Sequence, residues 1–464
     1  MDKKQILLDK IKNNTETIGI IGLGYVGLPL AVNFAEAGVK VIGFDKSKEK
    51  VDKINHGDNY IKDIRDAVLR EVVDKVNLKA TTDFSQMAAC DALIICVPTP
   101  LDKFRKPDMS YIESACIDIG RNMSPGTFIS LESTTYPTTT EDFMLPLIEE
   151  SSKQNPLSNS QQPKAKSQQP KAKSQQPKAN SFSHGKDFWL AYSPERVDPG
   201  NKNFHTRNTP KVMGALTEAG YEIGEALYIK AINTIHKVSS PRVAEMVKIL
   251  ENTYRLVNIS LINELALLSG KMHINIWEVI EAAKTKPFGF QAFYPGPGIG
   301  GHCIPLDPFY LEHIAKQYDF DLSMIHTAGH INMRMPHYMY IKIATALNSQ
   351  KKAVNGSHIL FLGVAYKPNI DDERESPALE IMDITAHKGG EVSYHDPYIP
   401  HVRTNEGRAY ASTELTAEAL KNTDCVVLTT NHKDFDVDFI KAHARLIVDL
   451  RNMVDQKSEK VFKL

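Results

Sequence analysis

The sequence has few cysteines for its length. The chain of 464 residues has five, at Cys90, Cys96, Cys116, Cys303 and Cys425. No two of them form a CxxC pair, so the spacing excludes zinc and redox motifs of that type, and we expect no metal site. A sparse, odd number of thiols is typical of a reducing compartment, which predicts a cytoplasmic location.

The sequence also lacks an excess of charge and an unbroken apolar run. Its net charge is −1 and charged residues make up 24%, so there is no basic field for a nucleic-acid partner. Residues 17–35 are almost uncharged, but four glycines and Pro29 interrupt them, which favours strand, turn and helix over a membrane span. The first residues lack the apolar core of a signal peptide. We therefore expect a soluble protein without membrane insertion.

A glycine-rich turn near the start predicts a dinucleotide site. The apolar run 17–21 leads into GLGYVG at residues 22–27, with glycines at Gly22, Gly24 and Gly27. A helical stretch follows at 28–37, and a second strand at 40–44 ends at Asp45. Such glycines allow a tight turn and the close approach of a pyrophosphate to a helix N-terminus. Asp45 would bind the adenosine ribose, which favours NAD over NADP although Lys46 and Lys48 follow it.

Further polar residues follow predicted strands of the same unit. Thr99 and Thr134 come after the apolar runs at 92–97 and 127–131, and Glu195 and Arg196 follow a strand at 187–192. Ligands of parallel α/β sheets bind beyond the carboxyl ends of the strands. These residues are therefore candidate neighbours of a cofactor, although hydroxyls at such positions are often only helix caps.

The most informative stretch is GPGIGGHCIPLDP, residues 296–308. It places Cys303 after four glycines and four residues before Asp307. A thiol in such a loop is a candidate covalent nucleophile, whereas the alternative is a buried packing cysteine. A long helix predicted from Pro241 to Gly270 carries Lys248, Asn252 and Arg255 on one face, where a lysine and an asparagine one turn apart could stabilise an oxyanion. A polar stripe of this kind can equally be a solvated surface.

Residues after 358 predict a second α/β unit without a GxGxxG motif. Lys367, Arg374 and Arg451 lie at or just beyond its strand ends, where they could bind an anion such as a diphosphate or simply be exposed bases. Within the first unit, between the predicted strands 127–131 and 187–192, residues 161–181 repeat QQPKAKS, QQPKAKS and QQPKANS. The prolines exclude a coiled coil, so we expect a disordered basic insertion there.

Together these motifs resemble the UDP-glucose/GDP-mannose dehydrogenase family of nucleotide-sugar dehydrogenases. The resemblance runs from about Thr17 to Asn452, apart from the insertion, and rests on eight ordered motifs. They read GLGYVGLP, CVPTP, EST, SPERV, AEMVKILENTYR, GPGIGGHCIPLDP, GVAYKPNIDDERESPA and VDLRN.

The resemblance implies a two-step, NAD-dependent oxidation of a sugar C6 alcohol to a carboxylate. Cys303 matches the nucleophile that captures an aldehyde, Lys248 and Asn252 the pair that stabilises the oxyanion, and Asp307 and Glu195 the acids of proton transfer and water activation. The matching NAD contacts are Gly22, Gly24, Tyr25, Val26, Gly27, Asp45, Thr99 and Thr134. The matching nucleotide-sugar contacts are Arg196, Val197, Arg255, Gly300, Tyr366, Lys367, Arg374 and Arg451.

Within the family, the chain resembles the branch that acts on N-acetylated hexosamines. His302 and Leu306 stand where the UDP-glucose branch typically has serine and lysine. This implies UDP-N-acetylglucosamine as substrate, and an acid product that feeds surface polysaccharide synthesis. UDP-glucose, UDP-N-acetylmannosamine and UDP-N-acetylgalactosamine remain alternative substrates. A single-step hydroxyacid dehydrogenase and a non-catalytic nucleotide-sugar sensor are more remote alternatives.

The expected fold class is α/β, with two doubly wound Rossmann-like domains joined by a central helical segment that contains one long helix. We predict an NAD-binding domain at 1–235 with the disordered insertion at 151–183, a helical segment at 236–335 that carries the catalytic lysine and cysteine, and a UDP-sugar-binding domain at 336–464. An apolar stripe along the long helix allows a homodimer, as in the family, although burial within one subunit would leave the same pattern.

Overall fold

The computed structural model describes residues 2–61, 64–102, 106–158, 181–198, 201, 203–301, 304, 306–455 and 458–464. These residues form two compact units, Met1–Leu250 and Glu251–Leu464. Cys303 and the predicted repeats lie outside the described residues. Both ends of the predicted insertion are described, however, and belong to the folded first unit, because Asn155 and Phe182 are buried and the Asn155 amide donates to the carbonyls of Gly120 and Met123.

The first unit is built on one eight-stranded sheet in the order β3-β2-β1-β4-β5-β6-β7-β8. Its strands are β1 (Thr17–Ile21), β2 (Lys40–Phe44), β3 (Leu78–Thr81), β4 (Ala92–Ile95), β5 (Thr127–Leu131), β6 (Phe188–Tyr192), β7 (Lys211–Ala215) and β8 (Ile235–Lys237). Its helices are α1 (Lys3–Lys12), α2 (Gly27–Glu36), α3 (Lys48–Asn55), α4 (Asp66–Asp74), α5 (Ser110–Asn122), α6 (Leu145–Ser152), α7 (Glu218–Tyr228) and the start of α8 (Pro241–Lys271). All neighbouring strands pair in parallel except β6 and β7.

The central strands of the first sheet are apolar on both faces. Successive side chains of a strand point to opposite faces, and Ile94 joins one hydrophobic cluster while its neighbours Leu93 and Ile95 join another. Runs of this kind are expected for a parallel sheet covered by helices on both sides. The loops at its carboxyl edge are therefore held by a rigid, buried frame.

The second unit contains a smaller parallel sheet in the order β10-β9-β13-β14-β15. Its strands are β9 (His358–Leu362), β10 (Glu391–His395), β13 (Cys425–Leu428), β14 (Ile447–Asp449) and β15 (Val461–Lys463), and a separate antiparallel pair is formed by β11 (His401–Arg403) and β12 (Ala409–Ala411). Its helices, besides the remainder of α8, are α9 (Ile276–Lys284), α10 (Asp307–Ala315), α11 (Ser323–Ser349), α12 (Pro377–His387), α13 (Ala417–Asn422) and α14 (Val437–His443). The predicted α/β class with two parallel sheets is confirmed.

The long helix α8 is the element that the sequence predicted between the two sheets. It begins at Pro241, where the missing N–H of proline costs nothing, and continues to Lys271, close to the predicted end at Gly270. Lys248 falls in the first unit and Asn252 in the second. The division of the chain into three domains stays a prediction.

Candidate functional site

The turn after β1 has the geometry that its glycines predict. Gly22 has φ +92°, and a Cβ on it would lie 2.6 Å from the carbonyl oxygen of Cys96. A Cβ on Gly27 would lie 1.9 Å from the carbonyl oxygen of Gly22, so only glycine permits α2 to begin there. Gly24 is different, because nothing lies within 4 Å of the position of its absent Cβ. That open space suits the close approach of a ligand to the backbone.

Asp45 lies beside this turn, at the end of β2. One carboxylate oxygen accepts from the Leu23 N–H (3.0 Å), and the other accepts from the Ser47 N–H (2.9 Å). The Lys50 ammonium is 3.5 Å from Asp45, while Lys46 donates to Ser114. The Asp45 side chain exposes 12% of its surface, so a part of the carboxylate is accessible to the hydroxyls of a bound ribose.

The other predicted cofactor residues lie on the same edge of the first sheet. Thr99 is buried beyond β4, Thr134 is half-buried beyond β5, and their loops are linked because the Ser133 hydroxyl donates to the Val97 carbonyl (2.7 Å). Tyr25, in the turn, exposes 49% of its surface, and Val26 is half buried. The first unit thus brings the predicted NAD contacts to one sheet edge.

Lys248 and Glu195 are joined within the first unit. Lys248 is buried on α8, and its ammonium donates to the Glu195 main-chain carbonyl (2.7 Å). The Glu195 carboxylate accepts from the N–H groups of Arg196 and Val197 (both 2.7 Å). One guanidinium nitrogen of Arg196 donates to the Pro210 carbonyl (2.7 Å). The sequence allowed two interpretations of the polar stripe on α8, an oxyanion site or a solvated surface. At Lys248 the stripe is buried, so it is not a solvated surface there.

Next to the chain at Glu195 lies a buried network of hydrogen bonds that the sequence did not predict. The Glu132 carboxylate accepts from the Lys211 ammonium and from the Tyr228 hydroxyl, at 2.5 Å each. Lys211 also approaches the Pro194 carbonyl (3.3 Å), next to Glu195. Burial lowers the pKa of Lys211, but the neighbouring carboxylates Glu132 and Glu195 outweigh it and raise that pKa, so the amine stays charged. The signal for Glu132 was its place in the EST motif.

In the second unit, Asn252 and Asp307 form a pair. Both side chains are buried, and the Asn252 amide donates to the Asp307 carboxylate. Asp307 is the first residue of α10, where the helix dipole favours a negative charge. An amide on a rigid helix and a carboxylate at a helix start can together orient a reacting oxygen or a water molecule.

The described cysteines do not suit nucleophilic chemistry. Cys90, Cys96, Cys116 and Cys425 are all buried. Burial raises the pKa of Cys90 to about 12 and also raises the pKa of each of the other three thiols. A thiol must be deprotonated to attack, so these four are packing residues.

The glycine-rich loop before Cys303 is anchored inside the second unit. The N–H groups of Gly296 and Ile299 donate to the side-chain oxygens of Asn263 (2.9 Å) and Asn332 (2.7 Å). The Gly301 N–H donates to the carbonyl of Arg374 (3.0 Å), and a Cβ on Gly300 would lie 2.7 Å from the Tyr366 Cβ. The loop therefore packs directly on predicted substrate residues of the C-terminal sheet.

Three bases were predicted to bind a diphosphate in this unit. Arg374 is exposed and forms an ion pair with Asp372 (2.6 Å), and Lys367 is half-buried after β9. Arg451 donates to the Thr429 carbonyl (2.8 Å), and its guanidinium is so close to Gly296 that a Cβ there would lie 2.4 Å away. Burial lowers the pKa of Arg451 to about 10, which still leaves it charged at neutral pH. Arg255 lies exposed on α8.

The described residues contain neither a metal-binding cluster nor a membrane-spanning helix. Across those residues, no group of three or more histidine, cysteine or acidic side chains could hold a metal ion. Among the described helices, none is long and apolar enough to cross a membrane.

Comparison with known proteins identifies relatives over almost the whole chain. Models of the UDP-glucose/GDP-mannose dehydrogenase family match residues 16–232 (NAD binding domain), 242–334 (central domain) and 360–456 (UDP binding domain). The UDP-N-acetyl-D-mannosamine dehydrogenase of Escherichia coli K12 is 34% identical, covering 94% of this chain and 99% of its own. The UDP-N-acetyl-D-glucosamine 6-dehydrogenase of Pseudomonas aeruginosa is 29% identical, covering 95% and 97%.

A solved structure supports the same relationship. The UDP-D-ManNAc dehydrogenase from Pyrococcus horikoshii superposes with a TM-score of 0.81 at 32% identity, over 96% of this chain and 98% of that one.

Proposed function

The chain belongs to the UDP-glucose/GDP-mannose dehydrogenase family and is an NAD-dependent nucleotide-sugar dehydrogenase, and on this premise we propose that it oxidises the C6 hydroxyl of a UDP-N-acetylhexosamine to a carboxylate. The substrate we propose is UDP-N-acetylglucosamine. The reaction removes four electrons: one alcohol, two NAD and one water give one carboxylate, two NADH and three protons.

The observation that supports this proposal is the set of basic residues in the second unit that surrounds the glycine-rich loop. A dehydrogenase of a small hydroxyacid needs a dinucleotide turn but no second nucleotide site. Here the glycine loop 296–301 packs on Tyr366, Arg374 and Arg451, and the two arginines offer planar donor arrays to phosphate oxygens. This arrangement supports a substrate that carries a diphosphate.

The first unit fits NAD. The open space at Gly24 admits a pyrophosphate beside the start of α2, and the half-buried Asp45 would accept hydrogen bonds from a ribose. When bound there, NAD supplies the hydride acceptor for each oxidation.

The proposed role of Cys303 is to make the second oxidation possible. An aldehyde has no hydride to give until a nucleophile adds to its carbonyl carbon. The Cys303 thiolate would form a C–S bond to that carbon, giving a thiohemiacetal, which oxidation converts into a thioester. Water then attacks the thioester, the C–S bond breaks, and the acid and the thiol are released. This role comes from the sequence, because Cys303 lies outside the described residues.

Lys248 and Asn252 are proposed to stabilise negative charge on the reacting oxygen. Both side chains are buried and held by hydrogen bonds, to the Glu195 carbonyl and to the Asp307 carboxylate. Preorganised donors of this kind stabilise an oxyanion without further reorganisation. Asp307 and Glu195 are the two carboxylates proposed for proton transfer and for activation of water.

UDP-N-acetylmannosamine is the second candidate substrate. The relatives from E. coli and P. horikoshii, at 34% and 32% identity, carry that sugar in their names, whereas the relative from P. aeruginosa named for N-acetylglucosamine is 29% identical. The two sugars differ only in the configuration of one carbon, so a direct comparison of both is required.

The test is the end-point yield of NADH from a limiting amount of each sugar nucleotide. We expect about two NADH per UDP-N-acetylglucosamine, and little from UDP-glucose. Cys303→Ala should make no acid, while Cys90→Ala, which removes a buried packing thiol, should keep the yield. A yield of one would contradict the thioester mechanism. Two NADH from UDP-N-acetylmannosamine alone would make that sugar the substrate, and two from UDP-glucose alone would contradict the hexosamine assignment.

We also propose that the protein forms a homodimer through α8. Its apolar stripe is only partly covered by the described residues, since Leu250, Tyr254 and Leu261 expose 64%, 49% and 48% of their surface. Exposed apolar patches of this kind are typical of protein interfaces. Sedimentation equilibrium should give twice the chain mass, and Leu250→Asp with Leu261→Asp should give the monomer. A wild-type monomer at micromolar concentration would contradict the proposal.

A further inference from the structure

We propose that Asp396 and His432 are positioning residues that hold both ends of the loop 364–369, and that this loop in turn holds the nucleotide of the substrate. The inference rests on the proposed function, because it takes Tyr366 and Lys367, inside this loop, as contacts of the sugar nucleotide. Neither Asp396 nor His432 touches the substrate in this view. Both side chains are fully buried.

Asp396 holds the start of the loop. It follows β10, and one of its carboxylate oxygens accepts from the N–H groups of Val364 (2.7 Å) and Ala365 (3.2 Å). Its other oxygen accepts from the N–H groups of Tyr398 (2.8 Å) and Ile399 (3.2 Å). The carboxylate is therefore saturated with donors and has no free lone pair to offer a ligand.

His432 holds the end of the loop. Its Nδ1 accepts from the Asn369 N–H (2.9 Å), and its Nε2 lies 3.1 Å from the Asp396 carboxylate. Because a main-chain N–H can only donate, Nδ1 carries no proton, so Nε2 carries it and donates to Asp396. A chain of hydrogen bonds through the Asp396 carboxylate and the His432 imidazole thus connects Val364 to Asn369.

The loop depends on this connection. Asn369 has φ +64°, a left-handed conformation that asparagine adopts more readily than most residues but less readily than glycine. It is stabilised by the His432 contact and by its own side chain, which accepts from the Lys433 N–H (2.9 Å). Tyr366 and Lys367 lie between the two anchors and are half buried. Loosening either anchor should let these two side chains leave the positions that bind the nucleotide.

The experiment is a comparison of UDP and NADH affinity by titration calorimetry. His432→Phe keeps a ring but removes both nitrogens, and we expect the Kd for UDP to rise about tenfold or more, since one charge-assisted hydrogen bond to Asp396 and one neutral hydrogen bond to Asn369 are lost. The Kd for NADH, which binds to the first unit, should change less than twofold. In turnover, KM for the sugar nucleotide should rise while kcat at saturation changes little.

Two conservative variants of His432 each restore one of its two hydrogen bonds. A recovery of UDP affinity in them would show that the loss in His432→Phe is not due to misfolding. His432→Asn offers an oxygen where Nδ1 stands, so it should restore part of the UDP affinity by accepting from Asn369. His432→Gln instead offers a donor near Asp396 and should restore less.

The matched control is Asp424→Ala. The Asp424 carboxylate accepts from the His358 N–H (3.0 Å) and pairs with Lys352 at the opposite, amino end of β9, so its loss destabilises the same sheet away from the loop. We expect its UDP affinity to equal the wild-type value.

The outcomes separate the two ideas. If the wild-type protein does not bind UDP, the proposed function fails. If the wild-type protein binds UDP and all three His432 variants bind UDP as tightly as the wild type does, the positioning role is overturned. The same holds if Asp424→Ala weakens UDP binding as much as His432→Phe does, because the effect is then general destabilisation.

Discussion

The two units share one arrangement at the first turn of their sheets. In the first unit β1 runs into Gly22, whose N–H donates to the carbonyl of Phe44 at the end of β2 (2.7 Å). In the second unit β9 runs into Gly363, whose N–H donates to the carbonyl of His395 at the end of β10 (2.9 Å). The two glycines have φ +92° and +88°. In both units the next residue of the neighbouring strand is an aspartate, Asp45 or Asp396.

The two aspartates differ in what surrounds them. Each accepts from the N–H that follows the glycine, at 3.0 Å for Asp45 and 2.7 Å for Asp396. Asp45 is half-buried and keeps a solvent-facing side, whereas Asp396 is covered by His432 and by the chain around Tyr398. The two carboxylates thus occupy equivalent positions in the two sheets. Asp45 is accessible to a ribose, whereas Asp396 is buried and, among the described residues, bonds only to its own unit. We expect burial of the acid, more than the backbone around it, to determine whether such a turn can bind a ligand through its carboxylate.

The largest expected effect is the difference in stability between Asp396→Ala and Asp45→Ala. Removing Asp396 leaves four N–H groups and His432 without their acceptor in a buried site, which should cost about 3–5 kcal/mol. Removing the half-buried Asp45 exposes its two N–H partners to water and should cost about 1 kcal/mol.

The two units can be followed separately in that experiment. The protein has two tryptophans, Trp189 in the first unit and Trp277 in the second. Urea unfolding is therefore measured by fluorescence, in a Trp277→Phe background for Asp45→Ala and in a Trp189→Phe background for Asp396→Ala. Equal losses would contradict the view that the two carboxylates differ in burial and role.

The next prediction compares the pH response of buried carboxylates in the two units. On α8, Glu245 accepts from the Thr138 and Thr140 N–H groups and from the Thr140 hydroxyl, but burial dominates and raises its pKa to about 7. Burial also acts to raise the pKa of Asp396, but hydrogen bonds from His432 and the backbone outweigh it and lower that pKa. The two groups should therefore affect stability over different pH ranges.

The sign follows from proton binding. Since Glu245 binds its proton more tightly in the folded than in the unfolded chain, its contribution is greatest below pH 4.5 and is lost as the pH rises towards about 7, a fall of about 3 kcal/mol. Glu245→Gln should remove this fall, measured by urea unfolding at pH 5, 6 and 7.5 through Trp189. Asp396→Asn, followed through Trp277, should leave the slope over that range unchanged. An unchanged slope in Glu245→Gln would show that the group titrates normally.

The sequence predicted the strands of the first unit and the α/β class of the second better than the side-chain contacts between distant residues. The strands 17–21, 40–44 and 127–131 were predicted with the bounds that the structure has, because apolar runs and glycine punctuation are local signals. The predicted cofactor residues were likewise found at one edge, since the carboxyl ends of parallel strands coincide.

The missed residues act over long sequence distances. His432 lies 63 residues from Asn369, and Lys211 lies 79 residues from Glu132. No periodicity connects such pairs, because their contact is made only when the strands take their order in the sheet. One signal was present for Asp396, which follows β10 as Asp45 follows β2. The absence of a GxGxxG motif after β9 hid that equivalence.

The smallest expected effect concerns Tyr60, which bonds to the same residue of the first turn as Asp45 does. Its hydroxyl donates to the Leu23 carbonyl (2.6 Å), while Asp45 accepts from the Leu23 N–H, so the two side chains hold the peptide groups on both sides of Leu23. Tyr60→Phe removes a single hydrogen bond between neutral groups, which should cost about 1 kcal/mol and weaken NADH binding by about fivefold. Tyr221→Phe is the matched control, because its hydroxyl bonds to Glu225 on α7 and it should cost stability without changing the Kd for NADH. An NADH titration that separates the two variants would support a role of Tyr60 in holding the turn, and equal affinities for NADH would contradict that role.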